Sequence, residues 1–204
     1  MNRLVALAVS SSALLFLAAC GSNTDNGSAS DSTTPAPSTA PKIAVSVSPA
    51  PTQRNDSGRP LVKFDPCVSV GDDLVAKAGF DPESRERSDM TFDTYSFIGC
   101  TFTKRDTVGS QKVTVRTLRV SSSNITLDEF RTRYPGTSTE VVINGVQALQ
   151  YTNPDGTRDA CNIAIESADG VLDIGKIVSS PFTEEQPCEG IREIAETIAS
   201  ALPK

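Results

Sequence analysis

The chain has 204 residues, with 19 basic and 25 acidic side chains, a net charge of −6 and no histidine. An acidic chain does not neutralise phosphates by releasing counterions, so the composition argues against nucleic acid as a partner. The absence of histidine excludes the Ser-His-Asp and Cys-His arrangements that are common in hydrolases.

The start of the chain has the pattern of a secretory signal. Arg3 supplies a positive charge, and the apolar run from Leu4 to Ala19 is too short to span a bilayer comfortably as a permanent helix. The run ends in Leu17-Ala18-Ala19-Cys20, which resembles a bacterial lipobox, where the cysteine is acylated after cleavage. We therefore expect a signal peptide over residues 1–19 and a lipid on Cys20 that anchors the chain to the extracytoplasmic face of the cell membrane. The alternative is an ordinary signal peptide with an incidental cysteine.

Residues 20–60 have the composition of a linker. The stretch holds six prolines, many Ser and Thr residues and few large apolar side chains, so it cannot bury enough surface to offset the entropy of ordering it. We expect a disordered spacer here. Two alternatives stay open: the alternating stretch Ile43–Val47 docks on the domain as a strand, and the Ser/Thr/Pro-rich part Ser32–Thr39 carries O-linked sugars.

Residues 61–204 are long enough for one folded domain with its own core. In chain order, the first half predicts a helix over Asp72–Ala78 and strands over Phe97–Thr103 and Gln111–Val120. The sequence Thr126-Leu127-Asp128-Glu129 is a capping box, which predicts a helix from Thr126 to Arg133.

The second half of the domain alternates strands with turns. Asn144-Gly145 is a strong hairpin signal, and Pro154-Asp155-Gly156 and Asp169-Gly170 mark two further turns. The strands predicted around these turns are Glu140–Ile143, Val146–Tyr151, Ala160–Glu166 and Val171–Val178. Apolar residues at helical spacing predict a last helix over Pro187–Leu202. The pattern favours an α+β fold, an antiparallel sheet of about six strands with two or three helices packed on one face.

Four cysteines follow Cys20, which favours two disulfides in an exported domain. A zinc site is the competing hypothesis, but the chain has neither histidine nor a Cys-x-x-Cys pair. We expect Cys67–Cys100, which would clamp the first helix to the sheet. We also expect Cys161–Cys188, which would join a strand to the last helix, with Cys188 in that helix's first turn. The pairing Cys67–Cys188 with Cys100–Cys161 stays open, because spacing alone does not exclude it.

The segment Asp81–Ser96 lacks a clear period and is the candidate binding surface. Loops of this length in compact domains are often functional. Arg85, Arg87 and Tyr95 would suit an acidic or sugar-like ligand or a protein partner. The alternative is that the aromatic residues complete the core while the arginines balance an acidic surface.

No catalytic arrangement stands out in the sequence, and we expect no cofactor and no bound metal. Acidic pairs such as Asp72-Asp73, Glu184-Glu185 and Asp155 with Asp159 are the remaining candidates for carboxylate chemistry. Such pairs are usually solvated or favour a helix start. We therefore expect a domain that is not an enzyme.

The folded part resembles a known family. The residues that carry the likeness are Phe64-Asp65-Pro66-Cys67, Gly99-Cys100-Thr101-Phe102, Val142-Ile143-Asn144-Gly145, Cys161 and Pro187-Cys188. They are similar to a large family of actinobacterial lipoproteins known only as a domain of unknown function, over essentially all of residues 61–204. The domain also resembles the extracellular sensor domain of some receptor kinases and, more distantly, PsbP-type folds. The resemblance implies an antiparallel sheet with packed helices and a cleft, and it brings no established activity and no catalytic residues.

These observations predict a cell-envelope lipoprotein with a non-catalytic binding or sensing domain. Its partners would be the membrane, through Cys20, and a cell-wall component or an envelope protein, but not nucleic acid. An accessory structural partner of another envelope protein is the second hypothesis, and a carboxylate-based hydrolase is the third.

Overall fold

The structure, a computed structural model, describes residues 40–54, 56–153 and 159–203. The expected signal peptide and Cys20 lie outside these residues, as does the predicted turn at Pro154-Asp155-Gly156. The strands of the described part are β1 Asp81–Arg87, β2 Met90–Thr91, β3 Ser96–Val108, β4 Gln111–Ser123, β5 Ser138–Ile143, β6 Val146–Tyr151, β7 Ala160–Ser167 and β8 Gly170–Val178. Its helices are α1 Pro66–Ser69, α2 Asp72–Lys77, α3 Leu127–Arg133 and α4 Ile191–Ala199. No helix among these residues is long and apolar enough to cross a membrane.

The eight strands form one antiparallel sheet in the order β1-β3-β4-β8-β7-β6-β5, with β2 also paired to β3. The predicted α+β class is confirmed, with more strands and helices in the described residues than expected. The extra strands β1 and β2 lie within Asp81–Ser96, where we expected a loop, so that expectation is wrong for Asp81–Arg87 and Met90–Thr91. β1 is an edge strand that contains Pro82 and has an irregular register between Asp81 and Glu86, so it shows no clean alternation of apolar residues.

Several local predictions are confirmed. Asn144 and Gly145 both have positive φ angles, 50° and 83°, as the tight turn between β5 and β6 requires. The Thr126 hydroxyl accepts a hydrogen bond from the Glu129 amide at 3.3 Å, and the Glu129 carboxylate accepts one from the Thr126 amide at 2.9 Å. The reciprocal pair is the predicted capping box at the start of α3.

The last helix begins later than predicted. α4 starts at Ile191 and not at Pro187, because Gly190 adopts a left-handed conformation with φ 67° and interrupts the helix there. Cys188 therefore lies in a turn before the helix and not in its first turn.

Both faces of the central strands are buried. On the first face, Cys161, Ile163 and Ile165 of β7 join the main core beneath α1, α2 and α4. On the second face, Ala164 and Val171 pack with residues of α3 in a smaller core. We expected the helices to cover a single face, and α3 corrects that expectation. β7 and β8 are apolar at many consecutive positions, so each face of these strands has to be covered.

The structure contains the disulfides Cys67–Cys100 and Cys161–Cys188, with Cα–Cα distances of 5.2 Å and 5.1 Å. The predicted pairing is therefore confirmed. The two bonds differ in their surroundings, because Cys67, Cys100 and Cys161 are fully buried whereas Cys188 is exposed.

Residues 40–54 and 56–60 lie against the folded unit, although we assigned them to a disordered linker. The Lys42 carbonyl accepts a hydrogen bond from the Asp72 amide at 3.0 Å, and the Ala44 amide donates to the Asp72 carboxylate at 2.7 Å. Farther along, Arg59 donates to both carboxylate oxygens of Glu129, at 2.5 Å and 2.8 Å. Backbone groups and two ion pairs, Arg54–Asp93 and Arg59–Glu129, hold this segment, and a composition argument does not detect either kind of contact.

The docked segment includes Ile43–Val47, which we considered as an added strand. It is not a strand in the structure, but Ile43, Val45 and Val47 are each half-buried and Val47 packs against the main core. The alternation in the sequence therefore reflects contact with the domain without β pairing.

Candidate functional site

A cleft of about 1050 Å³ opens at one end of the sheet. Its walls come from the tip of the β5–β6 hairpin, the β7–β8 turn, the chain just before α1 and the last residues after α4. Most of its lining is apolar and consists of Phe64, Ile143, Val146, Ile165, Ala168, Ala199, Leu202 and Pro203. Ile143, Ile165 and Ala199 also belong to the main core, so the cleft borders that core directly.

One wall of the cleft is fixed by Asp169 in the β7–β8 turn. A single oxygen of its carboxylate, Oδ2, accepts hydrogen bonds from the amides of Lys63 and Phe64, at 3.0 Å and 2.7 Å. The Ser122 hydroxyl lies 3.2 Å from the same oxygen. These bonds join three parts of the chain that are far apart in sequence. The position of this wall is therefore fixed by hydrogen bonds within the protein.

A second wall is fixed by Asn144 at the hairpin tip. Its side-chain amide donates a hydrogen bond of 2.8 Å to the Glu196 carbonyl in α4, and Arg192 of α4 donates to the Val142 carbonyl at 3.2 Å. Both contacts hold the hairpin against the helix. Since both walls are fixed by internal hydrogen bonds, the cleft exists before any ligand arrives.

The position of α4 depends on the segment before it. Lys176 is fully buried, and its ammonium group donates to the Glu185 carboxylate at 2.6 Å and to the Glu189 carbonyl. Burial raises the pKa of Glu185, but the hydrogen bond and charge of Lys176, together with the charge of Arg116, outweigh it and hold that pKa below its ordinary value. Glu185 is therefore charged at neutral pH and supports the ion pair that holds this segment.

The charged side chains of the cleft are either exposed or already engaged within the protein. Lys63 and Glu166 are exposed, and Asp169 is occupied by the bonds described above. Val146 is 37% exposed and lies beside the apolar floor. A cleft with a mostly apolar lining and few charged side chains suits binding of an apolar molecule.

Arg85, one of the three predicted binding residues, is buried inside the protein. Its side chain is fully shielded from solvent, and it donates hydrogen bonds to the carbonyls of Cys67 and Val70, both at 3.0 Å. It also pairs with Asp72 at 2.7 Å and lies over the Phe102 ring, 4.8 Å from its centroid. Arg85 therefore holds α1 and α2 against the sheet and is not available to a ligand.

Arg87 is likewise engaged within the protein. Its guanidinium contacts the carboxylates of Asp65 and Asp89 and the Ser48 carbonyl, and only 10% of its side chain is exposed. Burial opposes the charge of Arg87, but the bonds and charges of Asp65 and Asp89 outweigh it and raise the pKa of the guanidinium.

Tyr95 is half-buried and packs against the smaller core on the second face. Its ring lies 4.7 Å from Phe92 and 6.0 Å from Phe97, and the Arg133 guanidinium lies 5.6 Å from its centroid. Arg85, Arg87 and Tyr95 do not line the cleft. The internal contacts of Arg85 and Arg87 contradict their predicted role in binding. Of the two aromatic residues expected to complete the core, Tyr95 does so, whereas Phe92 is 44% exposed.

One member of each acidic pair considered for catalysis is engaged elsewhere. Asp72 pairs with Arg85, Glu185 pairs with Lys176, and Asp159 accepts a hydrogen bond from the Ser180 hydroxyl. Asp155 lies outside the described residues.

The family resemblance implied a cleft, but reasoning from the residues did not predict its position or its lining. Asn144 and Asp169 were recognised as turn residues, but their second role in joining distant segments has no local signal. Leu202 was recognised as part of an apolar helix face, which does not reveal that the end of that face borders a cavity.

The comparison with known protein families gives the affiliation of the chain. The profile of the family described as "Protein of unknown function (DUF3558)" matches residues 15–200. The chain belongs to DUF3558. The matched range contains all four disulfide cysteines and nearly all of the cleft of this DUF3558 protein. No curated protein and no solved structure matches the chain.

Proposed function

We propose that this DUF3558 protein is a cell-envelope lipoprotein whose folded unit binds, without catalysis, a small ligand with an apolar body. The cleft at the end of the sheet carries the proposal. Its volume of about 1050 Å³ is at the upper end of the range common for small-molecule sites, and its lining is mostly apolar.

The chemistry of the lining supports binding over catalysis. The titratable side chains at the cleft are Lys63, Glu166 and Asp169. Asp169 already accepts several hydrogen bonds from within the protein, and the other two are exposed at the edge. An acid or base in catalysis has to reach a reacting group within the site, so this arrangement favours a passive role.

The sequence supports the proposed location. Leu17-Ala18-Ala19-Cys20 is the motif on which lipidation of Cys20 is proposed, and the four remaining cysteines form disulfides, which are typical of exported domains. The resemblance to actinobacterial lipoproteins and to receptor-kinase sensor domains supports a role in binding or sensing outside the cell.

The ligand proposal is tested with two valines of one hairpin. Val146 lines the cleft, whereas Val142 lies on the other face of the same hairpin and is 56% exposed. A fluorescent fatty-acid analogue, titrated into the purified protein, should bind saturably to the wild type. Val146→Lys should weaken this binding by roughly 10-fold or more, because it places a charge against the apolar body of the probe.

Val142→Lys is the matched control, since it adds the same charge to the same hairpin outside the cleft. It should bind the probe like the wild type. Failure of the wild type to bind saturably, or equal affinity in the two variants, would refute the cleft as the ligand site.

One observation favours the second candidate function, an accessory partner of another envelope protein. β5 lies at the edge of the sheet, where its outer backbone groups have no neighbouring strand in the described residues, and Val142 is exposed on it. An edge strand of this kind can accept a strand from a partner. If that is the function, Val142→Lys and not Val146→Lys should abolish crosslinking of the protein to its neighbours in the envelope.

A further inference from the structure

A second site lies on the opposite face of the sheet, away from the cleft. Arg119 of β4 and Asn162 of β7 are both in register with Gly175 of β8, which lies between them. The Arg119 guanidinium and the Asn162 carbonyl oxygen meet above this glycine, with Nη2 and Oδ1 3.5 Å apart. A Cβ at position 175 would lie 2.5 Å from Asn162 Oδ1, so glycine is what lets the two side chains meet across the strand.

The side-chain amide of Asn162 supplies a hydrogen-bond donor that has no acceptor among the described residues. The residue is 2% exposed, and its Nδ2 has no hydrogen-bond partner among the described residues. The orientation of the amide follows from its neighbour, because a flipped amide would set its N–H groups against the N–H groups of Arg119. A buried donor without an acceptor is unfavourable, and a ligand oxygen would satisfy it.

The Arg119 guanidinium is also only weakly engaged as a hydrogen-bond donor. Its Nη2 lies 3.5 Å from both Asp173 and Asn162, and the side chain is 31% exposed. Asp173 is buried and also accepts a 2.8 Å hydrogen bond from the Tyr151 hydroxyl. Burial raises the pKa of the Asp173 carboxyl and outweighs the opposing effects of Arg119 and Tyr151. The negative charge of Asp173 is therefore poorly stabilised, and Asp173 is a weak ionic partner for Arg119.

Both side chains line a pocket of about 390 Å³. Ala160, Ile177 and Pro181 add apolar surface to it. Its lining also includes one acidic residue, Asp159, whose side chain is exposed to solvent and bonded to Ser180. Solvent screens that charge more than it screens a buried one.

We propose that this pocket binds the carboxylate of a small ligand that carries a short apolar substituent. The Arg119 guanidinium and the Asn162 Nδ2 donate to the carboxylate oxygens, and Ile177 and Pro181 contact the substituent. Charge-assisted hydrogen bonds from a guanidinium to a carboxylate are among the stronger ones in proteins. The same chemistry is found in a free small acid and in the C-terminal carboxylate of a peptide.

The test uses two acids and their neutral amides. Propionate and N-acetyl-alanyl-alanine are titrated into the purified protein, with propionamide and N-acetyl-alanyl-alaninamide as controls, and binding is followed by NMR chemical shifts. The acids should bind saturably and at least roughly 10-fold more tightly than the amides. Tighter binding of propionate indicates a free acid as the natural ligand, and tighter binding of the dipeptide indicates a peptide terminus.

Three variants distinguish binding at this pocket from a general effect of the protein's charge on the acids. Arg119→Gln should weaken binding of the acid roughly 10- to 100-fold. Asp173→Asn should strengthen it, because it removes the competing negative charge with little change of shape. Arg105→Gln alters an exposed arginine outside the pocket and should leave binding unchanged.

Equal binding of acids and amides, or no saturable binding of either acid, would overturn the proposal. So would wild-type affinity in folded Arg119→Gln. If Arg119→Gln does not fold, Asp173→Asn decides, since unchanged or weaker binding in that variant contradicts the proposed role of Arg119. The site is independent of the cleft, so Val146→Lys should not affect it, and the two proposals can fail separately.

Discussion

Cys161 and Lys176 lie directly opposite each other on β7 and β8, and both side chains hold the same short segment, residues 185–189. Cys161 does so through its disulfide with Cys188, and Lys176 through its contacts with Glu185 and Glu189. The segment leads into α4, which forms part of the cleft. A covalent bond and a buried cation therefore fix the same helix from adjacent positions on the sheet.

The first prediction is that mild reduction opens Cys161–Cys188 before Cys67–Cys100. Cys188 is exposed, whereas both sulfurs of the other bond belong to fully buried residues, and exchange requires access of the attacking thiolate. Alkylation at increasing reductant concentrations, followed by peptide mass spectrometry, should detect alkylated Cys161 and Cys188 first. Circular dichroism of that species should stay near native, because Lys176 still holds the segment. Modification of Cys67 and Cys100 at the same reductant concentration would contradict the prediction.

The second prediction concerns Arg85, which the structure places in the interior. Arg85→Met should destabilise the protein by about 3 kcal/mol or more, because it leaves Asp72 without its buried partner and frees two carbonyl groups. Chemical denaturation of the variant and the wild type measures the difference. Arg105→Met, at an exposed position, should change stability by less than about 0.5 kcal/mol. Similar stabilities for the two variants would show that the internal contacts of Arg85 matter little.

The third prediction concerns acid stability through Glu129. The hydrogen bond from Arg59 is the largest effect on this carboxyl and lowers its pKa to about 2, against burial and with help from Thr126. An acid with a lowered pKa stabilises the fold above the pKa of the unfolded chain, about 4.3, and that stabilisation is lost as the pH falls towards 2. The thermal midpoint of the wild type should therefore fall more steeply between pH 4.5 and about 2 than that of Glu129→Gln.

Hydrogen exchange gives an independent measurement on the same pair. Glu129→Gln should increase exchange in residues 56–60, since Arg59 loses its ionic partner. The effect should be modest, because the Glu129 side chain is 39% exposed and solvent weakens the pair. Parallel pH profiles of the two proteins would show that this pair does not contribute to acid sensitivity.

The fourth prediction follows from the lipobox. Cys20→Ala should release the protein from the membrane fraction, because it removes the only residue on which we propose acylation. Fractionation followed by immunoblotting detects the release, and mass spectrometry of the native N-terminal peptide should show the acyl mass. A variant that stays in the membrane fraction, together with a native peptide free of acyl groups, would refute lipid anchoring.

The sequence predicted features that depend on local chemistry. The capping box at Thr126 and the Asn144-Gly145 turn each depend on a few adjacent residues, and both are found in the structure. The favoured disulfide pairing is also found, although it joins distant residues and spacing left a rival pairing open. The phase of Cys161 with the apolar residues of its strand indicated that it faces the core.

Other features that depend on distant parts of the chain could not be placed from the sequence. β1 has no clean alternation because it is an edge strand with an irregular register. The sequence does not indicate that Lys176 is buried, since its partners Glu185 and Glu189 come from a loop. The cleft requires Lys63, Asn144 and Leu202 to meet at one end of the sheet, which only the tertiary structure establishes.

The docking of residues 40–54 and 56–60 limits how far the folded unit could extend from a membrane. A chain free through residue 60 could separate Cys20 from the domain by at most about 140 Å, whereas the residues from 20 to 40 span at most about 70 Å when fully extended. With the proposed lipid on Cys20, the cleft and the Arg119 pocket would therefore work in a shallow layer next to the bilayer. A ligand or partner confined to more distant parts of the cell wall would lie beyond the reach of either site.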